Sequence, residues 1–162
     1  MPRRIEHRAR YRRPASEVYQ TLLDADYLRA RLTKLGGSQA ELIEHADDGE
    51  LARIHMRHGI EARHLPSAVR AALGGDLVID RIEQWRGPMR GTAKVTVPRT
   101  PAELTANLRL VDVEDGCEHS MEGSVSVSIP LVGGKVEDTI VRQVRDLLDA
   151  EREFTEQWLD DA

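Results

Sequence analysis

The sequence predicts an α+β fold. A curved antiparallel sheet of about seven strands packs on one long C-terminal helix, with two short helices after the first strand. Three observations carry this expectation. Met121, Gly123, Val125, Val127 and Ile129 alternate with Glu122, Ser124, Ser126 and Ser128, the period of two of a half-buried strand. After Pro130 and Gly133-Gly134, the apolar residues Val136, Ile140, Val141, Val144, Leu147, Leu148, Phe154, Trp158 and Leu159 fall on one helical arc of about 140°. Between Ser38 and Pro130 the pattern is strand-like almost throughout, with Gly, Pro and Asp as punctuation.

In chain order, Ile5, His7, Ala9 and Tyr11 share one phase, and Arg4, Glu6, Arg8, Arg10 and Arg12 the other. This predicts a first strand with one face in the core and one in water. Pro14 and Ser16 open a helix through Val18, Leu22 and Leu23. Asp24 or Asp26 starts a second through Tyr27, Leu28 and Leu32, and Gly36-Gly37 stops it. Residues 40–45 form a strand, and Asp47-Asp48-Gly49 a hairpin turn. Residues 51–60 form the next, with Ala52, Ile54, Met56, His58 and Ile60 in one phase. Pro66 to Gly75 reads as a helical insert. Strands follow at about 76–86, 91–97, 103–113 and 118–129, separated by Gly87-Pro88, Pro98 to Pro101 and Asp115-Gly116. In the strand at 76–86, Arg81, Glu83 and Trp85 share a phase with Leu77 and Ile79, but Val78 and Ile82 occupy the other. Its inward face is open on this evidence. The glycine turn then leads into a helix of about 25 residues, or roughly 37 Å, with Glu137 and Asp138 expected in its first turn, at the positive end of its dipole.

The chain has 162 residues, 40% hydrophobic and 31% charged, the size and balance of one soluble domain spanning residues 1–162. No apolar run approaches the roughly 20 residues of a membrane span. The basic N-terminal stretch lacks the apolar segment of a secretory signal, and the single cysteine, Cys117, has no disulfide partner. Both point to the cytoplasm. The net charge of −5 is uneven. Residues 1–35 carry nine Lys/Arg against four Asp/Glu, and residues 114–162 carry four against thirteen. The basic strand could touch nucleic acid or an anionic membrane, but arginines that face solvent or pair with the acidic terminal helix explain it more simply. No nucleic-acid partner and no integral membrane association are expected.

Catalytic signatures are absent. There is no phosphate-binding glycine loop, no dinucleotide fingerprint and no G-x-S-x-G nucleophile elbow. Cys117 has no evident activating partner. His55 and His58, three apart in a strand, point to opposite faces and cannot share one ion. No metal and no cofactor are expected. His7 and His58 lie in the apolar phases of their strands, as core histidines or as polar anchors of a pocket. Glu151 falls near the centre of the apolar helical arc, where a carboxylate needs a partner. Three readings stay open for it: the helix overhangs the sheet and Glu151 reaches water, it pairs with an inward Arg or His, or it serves a ligand.

The alternating strand SVSVSI, the turn PLVGG and a terminal helix ending in FTEQWL resemble the START-like (SRPBCC, helix-grip) superfamily, and more closely an uncharacterised actinobacterial branch of it. That resemblance covers nearly the whole chain. It implies the helix-grip fold and a cavity between sheet and C-terminal helix for a lipid or other hydrophobic small molecule. The residues expected to line such a cavity are His7, Tyr11, Met56, His58, Ile60, Trp85, Met121, Val144, Leu148 and Glu151. With aromatics at 4%, the lining should be mainly aliphatic. The first reading is a non-catalytic binding domain. A polyketide cyclase or aromatase-like enzyme is the alternative, with His7, His58 and Glu151 as its polar set. A protein-interaction module with a collapsed cavity is the third.

Overall fold

The structure, a computed structural model, describes residues 2–87 and 89–161. Pro88, read above as part of a turn, lies outside them. Strand β1 (Arg3–Tyr11) is followed by helices α1 (Ala15–Leu22) and α2 (Ala25–Leu35). Then come β2 (Glu41–Asp47), β3 (Leu51–Ile60), a short 3-10 turn, helix α3 (Ser67–Leu73), β4 (Leu77–Arg86), β5 (Arg90–Thr96), β6 (Ala102–Val113), β7 (Gly116–Val127) and α4 (Gly133–Asp161). All neighbouring strands are antiparallel, in the order β1-β7-β6-β5-β4-β3-β2. This is the helix-grip architecture expected from the sequence.

The expected elements form for local reasons. Asp24 caps α2 by accepting the Tyr27 N–H. Gly74, in the left-handed region with φ 74°, ends α3. In β6 every second residue from Ala102 to Leu110 is buried, because that face meets the helix layer. Gly59 has a second role. A Cβ there would lie 2.0 Å from the Ser38 carbonyl oxygen, so only glycine lets the segment after α2 close over the end of β3.

Two local expectations are corrected. Gly133-Gly134 is not the turn but the first turn of α4, which runs for 29 residues rather than about 25. The reversal is made earlier, by Pro130 and by Leu131 at φ 70°, and the Gly133 N–H bonds back to the Ile129 carbonyl. Glu137 therefore lies past the first turn. It is 2% exposed and accepts the Val127 N–H at 2.9 Å, tying helix to sheet.

Helix α4 packs its buried seam, Val136, Ile140, Val144, Leu148, Glu151, Thr155 and Leu159, over the concave side of the sheet and against α2. Val141, Leu147, Phe154 and Trp158 flank it, half-buried. Among the described residues, Arg3 is the one arginine of the basic first strand that meets the acidic terminal helix, as the simpler reading had it, and Arg8 and Arg10 find partners on the neighbouring strand β7. Arg3 pairs with Asp138, and Arg8 and Arg10 pair with Glu118. Among the described residues, no helix is long and apolar enough to cross a membrane.

Candidate functional site

Strand β4 decides the character of the interior. Leu77, Ile79, Glu83 and Trp85 are buried, and Arg81 points the same way, with only 12% of its side chain exposed. The open choice of inward face thus resolves in favour of the phase that carries two charges. Its hydrophobic members, above all the fully buried Trp85, hold that phase inward, and the charges find compensation there.

Glu151 faces them from α4 and is 5% exposed. Its carboxylate accepts two hydrogen bonds from Arg81 Nη1, at 3.1 and 2.9 Å. Arg31, from α2, brings its Nε to 3.4 Å of the same group. Arg81 also donates to Glu83 through Nε at 2.7 Å, and Trp85 Nε1 donates to Glu83 at 3.1 Å. The four ions sum to zero charge. Burial alone would raise the Glu151 pKa, but the Arg31 and Arg81 charges outweigh it and hold it at about 2. Burial opposes ionisation of Glu83 too, and Arg81 and Arg31 hold its pKa below the usual value. Of the three readings of Glu151, the structure shows pairing with inward arginines.

A hydrogen-bond chain braces this cluster. Arg31 Nη1 donates to the Tyr27 hydroxyl at 3.4 Å, Tyr27 bonds to Thr155, and the Thr155 hydroxyl donates to the Glu151 carbonyl at 2.7 Å. With the Thr155 proton committed to that carbonyl, the Tyr27 hydroxyl is the donor in the middle link.

The cluster lines a cavity of about 50 Å³ between sheet and α4, room for a few waters. His7, Tyr11, His58, Met121, Val144, Leu148 and Glu151 of the expected residues are in its wall, and aliphatic side chains such as Ile79, Val95 and Leu104 supply much of the rest. His7 turns its ring to Asp149, Nε2 to Oδ1 at 2.8 Å. Both ring nitrogens of His58 and the Nε2 of His119 are buried without a protein partner. Burial, with Arg81 nearby, lowers the His58 pKa to about 4. Burial likewise lowers His119 to about 4. Both rings are neutral at pH 7 and keep a donor and an acceptor each.

Three expected residues lie outside this wall. Met56 is fully buried but sits behind Arg31, whose Nη2 approaches its sulfur at 3.3 Å. Trp85 is behind Glu83, with its ring 5.6 Å from Tyr19 and 5.7 Å from His119. Ile60 ends β3 and lines an adjoining hollow of about 230 Å³, which shares His58, Ile79, Val144 and Leu147 with the inner cavity.

Sequence reasoning left out Arg31, His119 and Thr155, and did not settle Arg81 and Glu83. The signals are weak but present. His119 is in phase with Cys117 and Met121. Thr155 stands one turn from Glu151 and from Leu159 on the buried seam. Arg31 lies one turn past Tyr27, between Leu28 and Leu32. Cys117 is buried, and burial followed by the Asp112 charge pushes its thiol up to about 11, an unreactive state. His55 points to the outer face, 3.5 Å from Asp80. Among the described residues, no three His, Cys, Asp or Glu side chains are grouped to hold a metal.

The fold has solved counterparts. A crystal structure from Thermus thermophilus superposes with a TM-score of 0.64 at 13% identity, over 96% of this chain and 95% of its own. The Zhui aromatase/cyclase of a Streptomyces species superposes at 0.56 with 14% identity, over 96% and 89%. At these identities the likeness concerns the fold alone. In sequence, an uncharacterized protein of Mycobacterium tuberculosis is 30% identical over 172 residues, 98% of each chain. The model of the family "Protein of unknown function (DUF2505)" matches residues 6–159, and the chain belongs to that family.

Proposed function

We propose that the protein binds a small hydrophobic molecule between its sheet and α4. The observation that carries this reading is the largely apolar cavity whose wall holds buried His58 and His119, with both ring nitrogens of His58 and the Nε2 of His119 lacking protein partners. Unpaired buried polar atoms cost stability, and a ligand with oxygen or nitrogen functions offsets that cost. The charges of Arg31, Arg81, Glu83 and Glu151 already cancel, so an uncharged ligand suits the site. The inner cavity is narrow against the 300–1,000 Å³ typical of ligand sites. Entry through the adjoining hollow, past His58, Ile79, Val144 and Leu147, places the body of the ligand there and its polar end inside. This favours a compact oxygenated molecule over a long-chain lipid. The cytoplasm is its expected setting.

An aromatase/cyclase-like activity is the second reading. Two neutral histidines in the cavity wall with Glu151 are groups able to move protons, and one structural counterpart is an aromatase/cyclase.

Native mass spectrometry of protein purified from its own cells tests the first reading. The expected result is a one-to-one non-covalent adduct. Ala93→Leu, which fills the cavity wall, should abolish it while the protein still melts cooperatively. Absence of any adduct, together with no saturable binding of the apolar probe 1-naphthol, overturns the proposal. Chemical conversion of the retained molecule during incubation favours the second reading.

A further inference from the structure

The outer face of the sheet, away from α4, takes no part in the cavity. Its strand register places arginines directly opposite one another. Arg86 faces Arg90 across β4 and β5, Arg90 faces Arg109 across β5 and β6, Arg109 faces Ser120, and Ser120 faces Arg8. Directly opposed residues share a face and lie close, with strands about 4.8 Å apart. Like charges so placed repel.

Carboxylates relieve the row only at its β1 end. Arg8 is matched by Glu6, Glu118 and Glu122. Glu118 also serves Arg10, and Glu103 serves Lys94. Among the described residues, Arg86, Arg90 and Arg109 have no carboxylate partner, and all three are exposed. Arg90 and Arg109 border a hollow of about 590 Å³, with Asn107 and Ser120 in the same wall. That volume lies in the range of small-molecule sites.

We propose that this hollow binds a small phosphorylated molecule, its phosphate held by Arg90 and Arg109 with Arg86 beside them and Ser120 and Asn107 as neutral donors. Planar guanidinium forks match phosphate oxygens in pairs, and a multiply charged anion suits Arg90 and Arg109, the two arginines of the wall without a carboxylate partner among the described residues. Two features select a compact ligand over a nucleic acid. Glu118 and Glu122 close the hollow toward β1 with negative charge. The outward phases of β4 to β7 carry no aromatic side chain on which a base could stack.

Calorimetric titration with inorganic pyrophosphate tests the site, at a salt where charges beyond roughly 8 Å are screened. Saturable one-to-one binding is expected, weakened about tenfold or more by Arg109→Gln or Arg90→Gln and unchanged by the remote Arg63→Gln. Without ligand, Arg109→Gln should melt at the parent's temperature or higher, because a repulsion is removed. A large drop shows instead that the protein itself holds Arg109, and overturns the site. So do absence of saturation, an equal loss in Arg63→Gln, and binding confined to phosphatidic acid vesicles or to a DNA oligonucleotide. None of these outcomes bears on the cavity ligand, since the hollow lies on the opposite face.

Discussion

Helix α4 carries one buried seam with two chemistries. In its first half, Val136, Ile140, Val144 and Leu148 meet the sheet as ordinary apolar contacts. In its second half, Glu151 and Thr155 take the same geometric positions, yet they face Arg31, Arg81 and Tyr27. Both halves are buried. The first is held mainly by apolar area removed from water, with Glu137 tied to the Val127 N–H near its start. The second is held by mutual compensation, in which each ion is tolerable only because the others are there. A contact of the first kind is lost in proportion to the atoms removed. One of the second kind fails as a group.

The largest expected effect follows from that distinction. Glu151→Gln keeps the shape but leaves Arg31 and part of Arg81 uncompensated, so urea unfolding should show a loss of about 3–5 kcal/mol. A change below about 0.5 kcal/mol, as at an exposed surface position, would mean that the ionic half is not a unit.

Acid should attack the two halves unequally. His58 and His119 have pKa values lowered to about 4 by burial, against about 6.5 when unfolded. The unfolded chain therefore takes up their protons first. The stability they contribute is complete above pH 6.5 and is lost as pH falls toward 4, up to about 3 kcal/mol for each. Glu151, lowered to about 2, extends the loss from its unfolded value near 4.5 down to 2. Denaturation curves across pH 7 to 3 check this, and His58→Gln should flatten the upper part. A flat profile above pH 4.5 in the parent would show that these rings are not held neutral.

The smallest effect belongs to the apolar half. Ile140→Val removes one methylene group from the seam and should cost about 1 kcal/mol. That cost should be the same at pH 7 and pH 5, because no titrating group takes part. A strongly pH-dependent cost in equilibrium unfolding would erase the contrast between the halves.

The sequence by itself determined the order and nature of the elements. Local signals mark them: the period of two in β1, β6 and β7, the aspartates Asp24 and Asp26 that open α2, the glycine ending α3, and the long apolar arc of α4. It also placed Glu151 in that arc, because helical spacing is geometric and independent of what lies opposite. Tertiary structure alone decided what Glu151 meets. Strand β4 offers apolar residues in both phases, so its inward face depends on which neighbours cover it. Once Trp85 and Ile79 turn inward, Arg81 and Glu83 must follow, since alternate residues share a face. Arg31 comes from a helix about 50 residues away in sequence, and no local pattern links it to β4 or to α4. The turn before α4 shows the same division: the glycines marked a reversal within a few residues, while packing against Val127 set where the helix begins. Local spacing fixes which side chains share a face. Only the packed sheet and helices bring together charges from three distant segments, because compensation between ions depends on distance in space and not along the chain.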